Sequence, residues 1–305
     1  MSKTERPAAT HQHPRTKGHC PTNAPRFPWR KSRPAKRGTQ ASRRSGRPRL
    51  KLVPPLHPNA DAAGFAGIIS RDPALSAGVL SVANSAVFRG VTEVETVREA
   101  VTRLGLQEVG RVAAAVAART LFNPHVREER AAFSRRSTAL FTRSVAVGSA
   151  AASVAMRHPG ARSDRVYLGG LLHDVGKGLA LRALARLVLD GGEPEPDPSR
   201  LERVLERVHV EIGDQAIKAW ALPTYLALIC SRHHDEVVPS DAEFLELHLV
   251  RLASAVAALR EPTFSARAAR EIVQSSAALR LDAYEVRALR AELRQAEERA
   301  AALPR

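Results

Sequence analysis

Apolar residues recur at three- and four-residue spacing through most of the chain after residue 60, and no stretch of strand-like alternation interrupts them. This pattern predicts an all-α fold. A first short helix is expected over Ala62–Ser70. A second is capped by Asp72 with Pro73 in its first turn and carries Leu75, Val79, Leu80 and Ala83 on one face. Asn84 and Ser85 suit its end. Glu95–Leu104 predicts a third helix, stopped by Gly105 as a left-handed cap, and Val109, Val112, Ala113, Val116 and Leu121 stripe a fourth. Ala131–Met156 reads as a long Ala-rich helix, with a turn at Arg162–Asp164. The prolines of residues 191–198 forbid helix there. Ser199 and Glu202 then form an expected capping box for a helix that carries His209 and ends at Trp220. A further helix starts at Leu222-Pro223 and ends in His233-His234-Asp235. Asp241–Leu259, Ser265–Leu279 and Asp282–Ala300 close the chain, the last with Arg and Glu at i, i+4 spacing, as on a solvated face.

Composition agrees with helix: Ala, Leu, Val and Arg dominate, and aromatic residues make up only 4%. Charge divides the chain. The formal net charge is +16, yet residues 1–51 hold fifteen Lys/Arg against one acid (Glu5), while the other 254 residues carry thirty-two bases and thirty acids. Such a Pro-, Arg- and Ser-rich tail cannot bury enough apolar surface to fold alone, so disorder is expected up to about residue 49. A positive arm of this kind can neutralise phosphates of DNA or RNA or meet anionic lipid; a solvated tail without function, or a start codon placed too early, explains it equally well. His11, His13, His19 and Cys20 show no regular ligand spacing. Cys20 and Cys230 form no disulfide framework. No run of eighteen uncharged apolar residues predicts a membrane span, and no apolar signal core opens the chain; a cytoplasmic protein without membrane insertion is the expectation.

The stretch Leu168–Gly178 (LGGLLHDVGKG) concentrates the candidate chemistry. Leu168, Leu171, Leu172 and Val175 place His173 and Asp174 on a buried helix, and a buried carboxylate needs partners. An imidazole beside a carboxylate is a natural pair of metal ligands; a hydrogen-bonded buried pair is the plainer reading. The whole string resembles the signature of the HD superfamily, which includes metal-dependent phosphohydrolases. Three blocks upstream carry a second resemblance: Asp72-Pro73-Ala74-Leu75-Ser76, Val82-Ala83-Asn84-Ser85-Ala86 and Ala100–Gly105 look like the N-terminal half of an HDOD domain. His209 in HVEIG, then Trp220-Ala221-Leu222-Pro223, then His233-His234, look like later landmarks of the same domain.

That resemblance covers about residues 53–290 and implies a two-lobed helical fold: a basic tail over 1–51, an HDOD domain over 52–265 with an N-terminal helical lobe (52–124) and an HD-like lobe (125–265), and amphipathic helices over 266–305 packed on it. It implies a bacterial signal-transduction module. In metal-dependent HD enzymes the metal is held by a histidine on the preceding helix, the His-Asp pair and a later aspartate. Here Arg143 and Ser254 stand at the first and last of these positions, and an arginine offers only donors. Nothing after His234 resembles the Gly-Tyr-Pro motif of HD-GYP phosphodiesterases, which use histidines in comparable places. The resemblance therefore implies a degenerate site in which Arg143 pairs with Asp174 in place of metal charge, and Lys177 could meet a phosphate. His173, Asp174, His209, His233 and His234 remain as a reduced ligand set for a divalent ion. The preferred reading is a non-enzymatic regulatory module, without required cofactor, whose cleft binds a partner protein or small ligand. The alternatives are a metal-dependent phosphohydrolase and nucleic-acid binding through the tail. An apolar stripe on the closing helices could serve a homodimer.

Overall fold

A computed structural model describes residues 62–303 apart from 89, 123–126, 192–196 and 260–264. The expectations for the tail 1–51 and for most of the 191–198 loop lie outside the described residues. Among the described residues there are eleven α-helices, one 3₁₀ turn and no strand.

The first lobe holds α1 (Ala62–Ile69), α2 (Pro73–Ala83) and α3 (Val97–Phe122). The Asp72 carboxylate caps α2, accepting from the amides of Ala74 (2.9 Å) and Leu75 (3.1 Å), with Pro73 in the first turn as expected. Asn84 does more than end the helix. Its amide donates to the Val94 carbonyl and its carbonyl accepts from the Val94 amide, both at 2.8 Å, which ties the following loop to α2. Thr96 and Glu99 form a reciprocal cap for α3. Gly105 has the expected positive φ (75°) and ends one helical segment; the chain kinks there and a second segment of α3 follows at once. Its ψ of 159° lies outside the left-handed helical well, in a region essentially confined to glycine.

The second lobe is built on α4 (Arg127–Arg157), followed by α5 (Ser163–Leu172), α6 (Val175–Gly191), α7 (Pro198–Ala219) and α8 (Thr224–Arg232). After a 3₁₀ turn (Ala242–Phe244) come α9 (Leu245–Ala258), α10 (Ala266–Ala278) and α11 (Ala283–Ala301). α4 packs on α5, α6, α9 and α11, and α3 joins the lobes through α4, α5 and α6. By length and hydropathy the Arg135–Arg157 part of α4 matches a membrane span, a match that inspection for uncharged runs misses; 67% of that window is buried in the fold. α11 turns Leu289, Leu293, Ala296 and Ala300 inward, so only part of it is a solvated face.

Three local expectations are corrected. The expected single helix through His173 and Asp174 is two helices, with that pair at the turn between α5 and α6. Asp197, not Ser199, caps α7. Its carboxylate accepts from the Arg200 amide (2.9 Å) and the Ser199 hydroxyl, and Pro198 suits the first helical position, where its fixed φ fits a helix and an amide would have no intrahelical partner. The expected turn at Arg162–Asp164 is shorter, since α5 already begins at Ser163. The landmark Trp220–Pro223 is a C-terminal turn of α7. The Leu222 amide donates to Ile217, the Ala221 amide donates to Lys218, and Ala221 takes a positive φ of 54°, after which Pro223 opens α8.

Glycines set the closest helix contacts. A Cβ on Gly170 would lie 2.5 Å from the Gly148 Cα and 2.8 Å from its nitrogen, so α4 and α5 touch backbone to backbone. Gly170→Ala is expected to lower unfolding stability by roughly 1–3 kcal/mol or more. Gly67→Ala, on exposed α1 with nothing within 4 Å, should raise it by about 0.5–1 kcal/mol. Urea titration of both variants checks this, and a neutral Gly170→Ala would contradict the contact.

Candidate metal centre

The turn between α5 and α6 carries two polar residues into the interior: His173 is 1% exposed and Asp174 is 3% exposed. Four side chains converge there. Asp174 from the turn, His209 from the middle of α7, and His233 and His234 from the end of α8 each bring a donor atom to within 4.8 Å of the others. Gly176 makes this convergence possible, because a Cβ there would lie 1.9 Å from the His209 carbonyl and 2.7 Å from the Gly213 nitrogen. Gly176 thus lets α6 and α7 close until His209 reaches Asp174.

The ring nitrogens are oriented by the backbone. His209 Nδ1 lies 3.1 Å from the carbonyls of Leu205 and Glu206. His233 Nδ1 lies 3.1 Å from Ile229 O and 3.0 Å from Cys230 O. A carbonyl only accepts, so each Nδ1 carries the proton and each Nε2 presents a lone pair. Those two Nε2 atoms face each other at 3.4 Å, and they stand 3.4 and 3.6 Å from Asp174 Oδ1. Asp174 Oδ1 and His234 Nε2 are buried without a hydrogen-bond partner. Lone pairs aimed at one another without a shared proton repel, and a cation between them removes the repulsion.

The donor set fits a divalent ion. Imidazole nitrogens about 2.0–2.1 Å from a zinc-sized ion stand about 3.4 Å apart at tetrahedral angles, which matches the spacing here. The outward Nδ1–H bonds to carbonyls are the outer contacts that metal-bound histidines make.

His173 does not join this set. Its Nδ1 donates to Gly170 O at 2.7 Å, and its Nε2 accepts from the Ser254 hydroxyl at 3.1 Å, so both nitrogens are satisfied. Arg143 does not take the role expected for it. Its Nη2 donates to the Ser254 carbonyl at 3.3 Å, and the cation on Asp174 is Lys177, 3.0 Å away. Lys177 reaches because it follows Asp174 by three residues, the spacing that puts side chains on one helix face. It also meets Glu206 at 2.5 Å, and Glu206 accepts from Arg267 at 2.7 Å. His234 Nδ1 lies 2.8 Å from Glu271 Oε1.

Glu206, Arg267 and Glu271 are site residues that sequence reasoning missed. Arg267 and Glu271 stand four apart on α10, a spacing that reads as a surface pair, yet Glu271 is 3% exposed. The remaining family-motif residues Asp72, Pro73, Asn84, Ser85 and Gly105 belong to the first lobe, and Trp220 and Pro223 to the α7–α8 turn; none lies in the cluster. A pocket of about 580 Å³ opens beside it, lined in part by Arg136, Arg143, Lys177, Glu206, His234 and Arg267.

The electrostatics follow from burial and pairing. Burial alone would raise the Asp174 pKa, but the Lys177 ammonium and the surrounding imidazoles outweigh it and hold the carboxyl well below its usual range. Burial likewise opposes Lys177, whose pKa is nonetheless raised by Asp174 and Glu206. Glu206 is pushed down to about 2, against burial, by Lys177 and Arg267. Burial lowers His173 and His209 to about 4, lowers His234 further with help from His233, and raises Glu271.

Two histidines buried neutral make stability pH-dependent. Between pH 4 and 6.5 the unfolded chain binds protons on these rings that the native protein does not, so stability rises with pH across that window. In chelator-treated protein, urea unfolding should therefore show a loss on the order of a few kcal/mol between pH 6.5 and pH 4.5. The loss begins well above the range where ordinary carboxylates titrate. Equal stability at pH 7 and pH 5 would contradict buried neutral rings.

Comparison with known proteins bears on this geometry. A model of the HDOD domain matches residues 55–236. Among solved structures, the fold is similar to a provisionally assigned metal-dependent phosphohydrolase from Shewanella amazonensis (22% identity, TM-score 0.59, covering 80% of this chain and 86% of that one). It is similar also to an HDOD domain protein of unknown function from Geobacter sulfurreducens (24% identity, TM-score 0.57, covering 81% and 87%). A third is a provisionally assigned signal transduction protein from Marinobacter aquaeolei (23% identity, TM-score 0.55); the match covers 81% of this chain and 55% of that longer one. At these identities the likeness concerns the fold. No curated protein matches.

Proposed function

The chain belongs to the HDOD family, and from that premise we propose that it is a non-hydrolytic regulatory module in which Asp174, His209, His233 and His234 hold one divalent cation. The pocket beside them receives a partner protein or a small ligand. Signal transduction is the role that the Marinobacter aquaeolei neighbour suggests by its name.

The observation that carries the reading is the state of Lys177. Phosphoester hydrolysis needs positive charge free to meet the phosphate as well as a metal-bound water. Lys177 is instead locked between Asp174 (3.0 Å) and Glu206 (2.5 Å), with Arg267 closing on Glu206. His173 has both nitrogens engaged, and Arg143 and Ser254 occupy positions where a larger metal site would need ligands. A bound cation would supply Lewis acidity and a tie among α6, α7 and α8. In this chain the protein groups around it serve holding and orientation.

A hydrolase remains the competing reading, favoured by the open pocket next to a donor set of four. The third reading, nucleic-acid binding through residues 1–51, predicts a steep salt dependence that deletion of those residues abolishes.

Elemental analysis of the purified protein, with Asp174→Asn and His209→Ala alongside, tests the proposal. One metal per chain is expected in the parent, with loss in both variants, and the metal-loaded parent should leave bis-p-nitrophenyl phosphate intact. Metal-dependent turnover that Asp174→Asn abolishes would overturn the regulatory reading in favour of the enzyme. Absence of metal in the parent after reconstitution with zinc or manganese would overturn the cation site.

A further inference from the structure

The family match ends at residue 236, yet the helices beyond it supply the contacts that orient the end of α8. Arg251 of α9 is 2% exposed and its Nη2 donates to the Asp235 carbonyl at 2.6 Å, directly under the histidine pair. Gln274 of α10 accepts from the same nitrogen at 3.0 Å and donates to the Glu236 carbonyl at 2.8 Å. These contacts fix the backbone that carries His233 and His234.

The ring of His234 is fixed differently from its neighbours. His209 and His233 direct Nδ1 to carbonyls of their own helices, so helix geometry alone sets their tautomer. His234 directs Nδ1 to a side chain, the Glu271 carboxylate on α10 at 2.8 Å. Glu271 is itself buried, and the same oxygen, Oε1, lies 3.7 Å from Arg267 Nε. A carboxylate accepts from Nδ1–H and thereby leaves Nε2 as a lone pair. That Nε2 is, with Asp174 Oδ1, one of the two cluster atoms buried without a hydrogen-bond partner.

From this arrangement we infer that Glu271 is a positioning residue for the metal centre: it holds His234 as the Nδ1–H tautomer and so turns the fourth donor toward the ion. The inference rests on the cation reading above. It assigns part of the site to α10, outside the segment that defines the family. It also makes ligand presentation depend on how α10 sits against α8.

The tautomer can be read without metal or activity. Full-length protein labelled with 15N-histidine, stripped with chelator, gives long-range 1H–15N correlations that distinguish Nδ1–H from Nε2–H rings; His234→Ala identifies the His234 signals among the eleven histidines. His234 of the parent is expected as Nδ1–H. Glu271→Gln keeps the shape of the side chain but presents an amide able to accept or donate. It should therefore convert His234 wholly or partly to Nε2–H, and Zn(II) affinity, measured against a chromogenic chelator, should fall roughly 10–100-fold. A purely packing role predicts that Glu271→Gln leaves tautomer and affinity unchanged, and that result overturns the inference. So does a parent whose His234 is protonated on Nε2, an outcome that needs no variant to fold. A parent that fails to take up Zn(II) overturns the cation reading on which the inference rests, whatever the tautomer, so the two failures are told apart.

Discussion

Everything around the α5–α6 turn answers to one constraint, a carboxylate buried among apolar helices. Removing Asp174 from water costs several kcal/mol unless charge and hydrogen bonds return it. Lys177 serves one of its oxygens, at 3.0 Å from Oδ2. The other, Oδ1, faces the imidazoles of His209 and His233, whose protons point away toward carbonyls. The compensation is therefore lopsided: one oxygen has an ammonium, the other has lone pairs. An ion at Oδ1 completes the balance, and no rearrangement of the neighbouring rings could do so while their Nδ1 protons stay committed.

The same constraint explains features of the fold that look unrelated to it. The helix must break at His173–Asp174 so that the carboxylate enters the interior and Lys177 begins the next helix on its side. Gly176 must lack a side chain so that α6 and α7 approach, since any Cβ there would meet the His209 backbone. The α7–α8 turn, with Ala221 in a positive-φ conformation, sends α8 back so that His233 and His234 arrive opposite. Sites of this kind depend on ordinary helix packing held to small tolerances.

How much of this the amino-acid sequence discloses follows from the range of the forces involved. Helices are local, so period located them, and capping chemistry placed Asp72 at the start of α2. Asp174 stood out as a polar residue in an apolar run, and His209, His233 and His234 through the resemblance to the HDOD domain. What escaped was set by long-range packing. Arg143 and Lys177 both offered positive charge; Lys177 reaches Asp174 through its local i, i+3 spacing, whereas the place of Arg143 is set by how α4 packs. Glu271 and Arg267 have the spacing of a solvated ion pair, and nothing local says that one end of it is buried beneath α8. Gly105 breaks α3 as its local chemistry says, and only the immediate resumption of helix after the kink is a matter of packing.

The final step concerns what such a centre is suited to do. Catalysis on a phosphoester demands a cation that shares its coordination with substrate and a second positive group that moves with the developing charge. Here two of the positive groups, Lys177 and Arg267, are engaged in a chain from Asp174 through Glu206 to Glu271, which spans α6, α7 and α10. An ion bound at the end of that chain draws its ligands from the α5–α6 turn, α7 and α8, with α10 behind the last of them. Its binding free energy is then also free energy holding those helices together, so whatever shifts α10 shifts ion affinity by the same amount in return. Under the proposed cation reading, this reciprocal coupling between the ion and the packing of α10 follows from the pairing that a buried carboxylate imposes.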